Sequence, residues 1–416
     1  MISDLGPDVR IILLARGLRS FAFSNLNVVF AIYLSNIGYS TLTIGAVHSV
    51  AYISGAVLSA LWGFSSDRLG RKRILISLSV LTIISTSIYI FSTHLAMILL
   101  AVILVNVGAG GTAGGGQGGG PFNPVEQAFL AEKCKAEERN RIFGIMAFIG
   151  SVLGSLGALV SGVPQYLQEA RGWGAIASYK PLFALTVLFC IAFIFLYRRL
   201  QEEPRPRETR RFISKKSGIF VTKMSLLGIV DNLGAGMLSP LISYWFYLRF
   251  GVELKALGLL FFLSYLLAAI SFLLAPLIAR RIGVVRTMAF SHAAASVLYL
   301  ILPFAPTFYL AGVILVARSF LAYMDNPLRE SYTMAMVKSQ ERGSAAGMTN
   351  LARVVPFGVS PTISAYMMQS LSLTIPLVIG AALQLTHDIT FYYLFRHERP
   401  PEEARIQEIK VEGAGG

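Results

Sequence analysis

Charged side chains stand inside the long apolar runs of this sequence, among them Arg16, Arg19, Asp231, Arg318 and Arg353. If those runs cross a bilayer, each charge costs about 3 kcal/mol at mid-depth on insertion scales and needs a partner or a purpose. Asp231 is the best placed acid. It could carry a proton or serve as countercharge to a ligand, or it could be half of a buried ion pair or a polar contact with Asn232. Arg16 lies near enough to the end of its run to snorkel to the interface, whereas Arg19 is deeper and is a candidate partner for an anion or for Asp231. Arg318 and Arg353 pose the same choice between lining a cavity and holding helices together. Asn25, Tyr52, Asn106, Asn232, Tyr244 and Trp245 could offer polar or aromatic contacts to a ligand, each with an interhelical hydrogen bond as its alternative. Asp325 and Asp388 read as loop-pairing acids near the ends of their runs.

The elements that position these residues follow from composition. Of 416 residues 55% are hydrophobic and 14% charged, too little polar surface for a soluble chain of this size. Apolar runs of about 20 residues, each able to span a hydrocarbon core as a helix, point to a polytopic all-α membrane protein. They fall near 11–36, 43–66, 74–94, 96–118, 142–163 and 180–200, then 219–249, 256–280, 285–303, 307–325, 344–368 and 373–395. We expect twelve transmembrane helices in two pseudo-symmetric six-helix domains, 1–200 and 219–396, joined by a charged, proline-bearing linker at 201–218 and followed by a tail at 397–416. The net charge of +14 sits mainly in the connections. It therefore reads as a topological signal that places both termini in the cytoplasm, and no nucleic-acid partner is expected.

The halves repeat. Asn123-Pro124, Lys135, Glu138-Arg139 and Gly144 recur as Asn326-Pro327, Lys338, Glu341-Arg342 and Gly347 at a constant offset of 203 residues. Tyr33-Leu34, Gly38 and Gly45 likewise recur as Tyr247-Leu248, Gly251 and Gly258. A parallel repeat of this kind places a substrate site between the copies near the bilayer midplane.

Between the second and third runs lies Gly63-x-x-x-Asp67-Arg68-x-Gly70-Arg71-Lys72, which resembles the signature loop of the major facilitator superfamily. Together with the twelve runs and the repeat, the resemblance extends over the whole chain and implies the major facilitator fold. It further implies that Gly63, Asp67, Arg68, Gly70, Arg71 and Lys72 form a conformational latch, the aspartate held by the start of the eleventh span near Ser344. The segment from Pro327 to Asn350 resembles a loop of efflux-type members. In the second half, Ala279-Arg-Arg-Ile-Gly-Val-Val-Arg286 keeps the basic charge without the acid, so a latch on one side only is expected.

Other chemistries lack their motifs. The glycine-rich stretch Gly108 to Gly120 has no Gly-Lys-Ser/Thr and no preceding strand, which excludes a phosphate loop; it reads as a pliable gate or a close helix crossing. Two cysteines, Cys134 and Cys190, and five scattered histidines give no disulfide framework, no metal-ligand spacing and no nucleophile-base pattern, so neither an enzyme nor a cofactor or metal is expected. The expected protein is a monomeric secondary transporter of the plasma membrane whose partners are lipid, a small-molecule substrate and protons. Asp231 is the coupling candidate, and export of small amphipathic compounds is the first reading. Uptake of an organic anion or sugar-like solute, and a transporter-like sensor, are the alternatives.

Overall fold

The computed structural model describes residues 5–105, 120–134, 139–202, 214–337 and 341–398, and among them every regular element is helical. In chain order the α-helices are α1 Pro7–Ile37, α2 Thr41–Leu69, α3 Arg71–Phe91, α4 Leu95–Leu104, α5 Phe122–Lys133, α6 Arg139–Leu159, α7 Val163–Arg171 and α8 Lys180–Arg198, then α9 Lys215–Leu238, α10 Ile242–Phe250, α11 Leu254–Ile282, α12 Val284–Ile301, α13 Phe308–Met336, α14 Arg342–Ser370 and α15 Ile375–Phe395. Helices satisfy their own backbone hydrogen bonds, which is what a chain this apolar requires in lipid.

Nine helical stretches, from Pro7–Ile37 to Phe308–Asp325, are long and apolar enough to cross a membrane. The other three expected runs fall short for visible reasons. α4 has 10 residues, and 106–119, with Asn106 and nearly all of the glycine stretch, lies outside the described residues. α14 carries Pro356 and Pro361 inside the helix, and α15 buries Gln384, His387 and Asp388. Most of the expected linker, 203–213, and of the tail, 399–416, also lies outside the described residues.

Two expected boundaries change, both at prolines. The run 219–249 breaks between α9 and α10 at Pro240, because a proline ring has no N–H to donate and crowds the turn before it. The run 142–163 continues through a 3-10 turn at Val160–Gly162 into α7. Pro164 sits in the first turn of α7, where a missing N–H has no cost.

The repeat read from the sequence is visible in the packing. α1 lies on α6 as α9 lies on α14, and α3 lies on α8 as α12 lies on α15. The turns match as well. Gly70 joins α2 to α3 with φ 95, and Gly283 joins α11 to α12 with φ 92, a conformation that costs glycine little and other residues more.

The halves meet chiefly along α2 against α14 and α6 against α11. Among the described residues, the hydrogen bonds joining them gather at the end of the bundle where α1 turns into α2. Thr41 Oγ1 and Ser35 Oγ lie 3.2 and 3.4 Å from the Tyr244 hydroxyl, and the backbone N–H of Leu42 donates to Gln369 Oε1 at 2.9 Å. Deeper, Ser49 Oγ lies 2.6 Å from Thr362 Oγ1. On the α6–α11 side, the N–H of Lys255 donates to Gln165 Oε1 at 3.0 Å, and Lys255 Nζ reaches Glu169 at 2.5 Å. Lys255 and Glu169 are about half exposed, so their pair adds little, whereas the helix contacts behind it are buried. Towards the Gly70 end, Gly63 on α2 and Gly347 on α14 have open space where a side chain would stand.

Candidate functional site

Two buried charge clusters occupy the interior, one in each half. In the first, Arg16 and Arg19 stand three residues apart on one face of α1, and Asn123 and Glu126 have the same spacing on α5. The two helices therefore match rung for rung. Arg19 Nη2 donates to Glu126 Oε2 at 2.6 Å, and Nη1 donates to Oε1 of the same carboxylate. Arg16 Nη1 donates to Asn123 Oδ1 at 3.3 Å. From α8 the Tyr197 hydroxyl donates to Glu126 Oε1 at 2.7 Å, and Phe122 lies under the Arg19 guanidinium, 4.7 Å from ring centroid to Cζ. Arg19 and Glu126 are both fully buried. A two-pronged, hydrogen-bonded pair is the arrangement that lets both charges leave water together. Arg16, also buried, has no acid of its own in this set.

The second cluster is built from α9, α12, α13 and α15. Arg329 Nη2 donates to Asp325 Oδ2 at 2.6 Å, one turn apart on α13, and Nη1 lies 3.5 Å from Asp231 Oδ2. Gln384 Nε2 donates to Asp231 Oδ1 at 3.2 Å, while its Oε1 accepts from Arg318 Nη2 at 3.3 Å. Arg318 also lies over the Tyr299 ring at 5.0 Å. Asp388 holds two imidazoles and a hydroxyl: His292 Nδ1 at 2.6 Å, His387 Nδ1 at 2.9 Å and Ser296 Oγ at 2.6 Å. Asp231, Asp325, Asp388, His292 and His387 are all buried.

The clusters are related by the repeat with their charges exchanged. Glu126 and Arg329 are separated by the same 203 residues that relate the two Asn-Pro pairs. Span one supplies the cation and α5 the acid in the first half; α9 supplies the acid and α13 the cation in the second.

The residues singled out from sequence distribute as follows. Asp231 and Arg318 lie in the second cluster and Arg19 in the first, paired with Glu126 in its own half, so the pair with Asp231 does not form. Asn25 and Asn232 turn back on their own helices, donating to Ala22 O at 2.8 Å and Gly228 O at 2.7 Å. Tyr244 belongs to the junction between the halves, and Tyr52 faces Phe357 across it at 5.2 Å between ring centroids. Trp245 Nε1 donates to Leu373 O at 2.9 Å, a packing contact, and Arg353 is half-buried on α14. Asn106 lies outside the described residues.

Of the latch residues, the side chains of Asp67 and Arg68 lie outside the described residues, as does that of Ser344. Arg71 pairs with Glu132 of α5 at 2.8 Å and Lys72 Nζ donates to Leu200 O at 2.8 Å, while Glu202 lies against Gly70. Glu132 and Leu200 belong to the first half, and Glu202 lies at the start of the linker.

Sequence reasoning passed over Glu126, Tyr197, Arg329, His292 and His387, and it placed Asp388 in a loop pairing that the structure replaces with a buried one. The repeat carried a usable signal for two of them, because the Asn and the Pro of each aligned pair stand three and two residues before Glu126 in the first half and before Arg329 in the second.

A bundle of apolar helices in two like halves, each with a buried charge cluster, has the architecture of a membrane transport protein. The chain belongs to the Major Facilitator Superfamily, whose family model matches residues 12–224 and 224–413. It is 22% identical over 425 residues to an uncharacterized membrane protein of Saccharomyces cerevisiae, covering 93% of this chain and 94% of that one. Among solved structures it is similar in fold to the inward open conformation of the xylose transporter XylE from E. coli, with TM-score 0.70, 14% identity and 92% and 96% of the two chains covered. It is also similar to the human organic anion transporter MFSD10, with TM-score 0.64, 15% identity and 92% and 99% covered.

Proposed function

We propose that this protein is a secondary transporter working by alternating access: two six-helix domains rock about a central substrate site, with export of small amphipathic compounds driven by the proton gradient. The observation that carries the reading is the junction, in which, among the described residues, α2–α14 and α6–α11 are hydrogen-bonded at one end while Gly63 and Gly347 have open space towards the other. The Lys and Arg of the Gly70 end support a cytoplasmic location for that end, and with it an inward-facing conformation. Twelve spans, cytoplasmic termini and a plasma-membrane location belong to the same proposal.

Uptake of an organic anion is the second reading, and one feature favours it. Arg16 is a buried guanidinium whose Nε has no hydrogen-bond partner and whose neighbour Arg19 already neutralises Glu126. A carboxylate-bearing cargo would supply the missing charge.

The test is transport by purified protein in liposomes under an imposed proton gradient of either sign, with a panel containing amphipathic cations and neutral and carboxylate compounds. Gradient-dependent movement of an amphipathic compound that stops on adding a protonophore is the expected result. Movement confined to carboxylates selects the second reading, and no movement of any compound removes the coupled-transporter reading.

A further inference from the structure

The geometry points to a divalent transition-metal site, of the zinc class, formed by Asp231 on α9, His292 on α12 and His387 on α15. One ligand atom from each of the three lies within 4.8 Å of the others, and all three residues are buried. The orientation of the rings supports the assignment. Asp388 is a carboxylate and can only accept, so both imidazoles present Nδ1–H to it, and the lone pair of each neutral ring is then on Nε2. A carboxylate that fixes the tautomer and aim of a ligating histidine is the usual outer partner of a bound metal, and here one carboxylate serves two rings. Ser296 donates to the second oxygen of Asp388 at 2.6 Å and so locks that partner in turn.

The inner side of the cluster has the complementary feature. His292 Nε2 faces Asp231 Oδ1 at 3.6 Å, and in that tautomer these are two acceptors opposed in a buried place, an arrangement a cation between them would relieve. Zinc at about 2.0–2.1 Å from each ligand atom in a tetrahedron needs ligand atoms about 3.4 Å apart. The His292–Asp231 edge, at 3.6 Å, is near that length, and the edges to His387 are at most 4.8 Å. Two nitrogen ligands with one carboxylate select the zinc and first-row class over calcium or magnesium, which take oxygen. Charge agrees in sign: the three carboxylates of the cluster, Asp231, Asp325 and Asp388, outnumber its two guanidiniums, Arg329 and Arg318. A groove between α9 and α15, lined by Lys223, Val230, Thr386 and His387 among others, gives access to the His387 side.

This inference does not depend on the transport reading, because binding can be measured without transport. Full-length protein in detergent is stripped with a chelator, exchanged into chelator-free buffer and titrated with Zn2+ by calorimetry, and with Co2+ by absorption. One equivalent should bind, Co2+ should develop the intense visible bands of a four-coordinate site, and Zn2+ should raise the thermal midpoint. His387→Gln and Asp388→Asn, checked for folding by size-exclusion chromatography, should each weaken binding at least 10-fold, the scale known for outer partners of ligating histidines, whereas His94→Gln should not. Absence of stoichiometric binding, or binding unchanged in both His387→Gln and Asp388→Asn, overturns the site. If either variant fails to fold, the Co2+ spectrum of the unaltered protein decides alone, since a six-coordinate pink spectrum contradicts it.

Discussion

Gly45→Leu is expected to force open the end of the bundle that is closed in this structure. A side chain at Gly45 on α2 would meet Ala365 and the Pro361 carbonyl oxygen on α14, the latter 2.6 Å from the position of its Cβ. Backbone atoms of a packed helix cannot rotate aside, so the clash is relieved by moving α2 off α14 as a whole. The hydrogen bonds from Leu42 to Gln369 and between Ser49 and Thr362 lie on the same seam and would part with it. With Thr362→Cys as reporter, labelling by a membrane-impermeant maleimide should rise at least tenfold in the Gly45→Leu background. Folded yield should stay near that of the parent, because the contact is between halves. Gly157 provides the comparison. It meets the Phe21 backbone of α1 within the first half, so Gly157→Leu should lower folded yield without the rise in labelling.

The second large effect is expected at the Arg19–Glu126 pair. Glu126→Gln leaves a fully buried guanidinium beside a second one, Arg16, with only a neutral amide to face. Removing one partner of a buried pair typically costs about 3–5 kcal/mol, whereas replacing both by apolar groups of similar volume is often neutral or better. Glu126→Gln should therefore lower unfolding stability in detergent by about 3–5 kcal/mol, and Arg19→Met with Glu126→Leu should recover most of it. A Glu126→Gln protein within about 1 kcal/mol of the parent would show that the pair is solvated in the folded state.

The exchange of charge between the clusters has a physical reading that links these predictions. The two halves share a backbone plan, and in each the same pair of helices is tied together near its middle by one guanidinium and at least one carboxylate. Such ties brace each half from within, while the seam between the halves holds close glycine contacts, isolated hydrogen bonds and a half-exposed Lys255–Glu169 pair, which part at smaller cost. Rigid halves and a weak seam are what rocking requires.

How much of this the sequence displayed depended on whether a property lies along a helix or around it. Apolar runs, the glycine turns at Gly70 and Gly283 and the repeat are matters of position along the chain; nine of the twelve runs, both turns and the repeat appear among the described residues. Pairing depends on rotation of each helix about its axis and on which neighbour it faces. Sequence position therefore offers Arg19 an anion or Asp231, whereas its partner is Glu126 on α5, and it offers Asp388 a loop partner, whereas Asp388 holds His292 and His387 in the interior. Pro240 gave a local signal for the break between α9 and α10 that the length of the apolar run obscured. The partners of Arg71 and Lys72, at Glu132 and Leu200, depend on the approach of α5 and the end of α8 to the α2–α3 turn, which no run length encodes.

The central claim, that the closed end must open during each transport cycle, is tested most directly by a disulfide across it. Ser49 and Thr362 place their side-chain oxygens 2.6 Å apart on α2 and α14. In a background where Cys134 and Cys190 are replaced, Ser49→Cys with Thr362→Cys should cross-link under mild oxidation, abolish transport in liposomes and regain it on reduction. Full transport by the cross-linked protein would contradict alternating access about this seam.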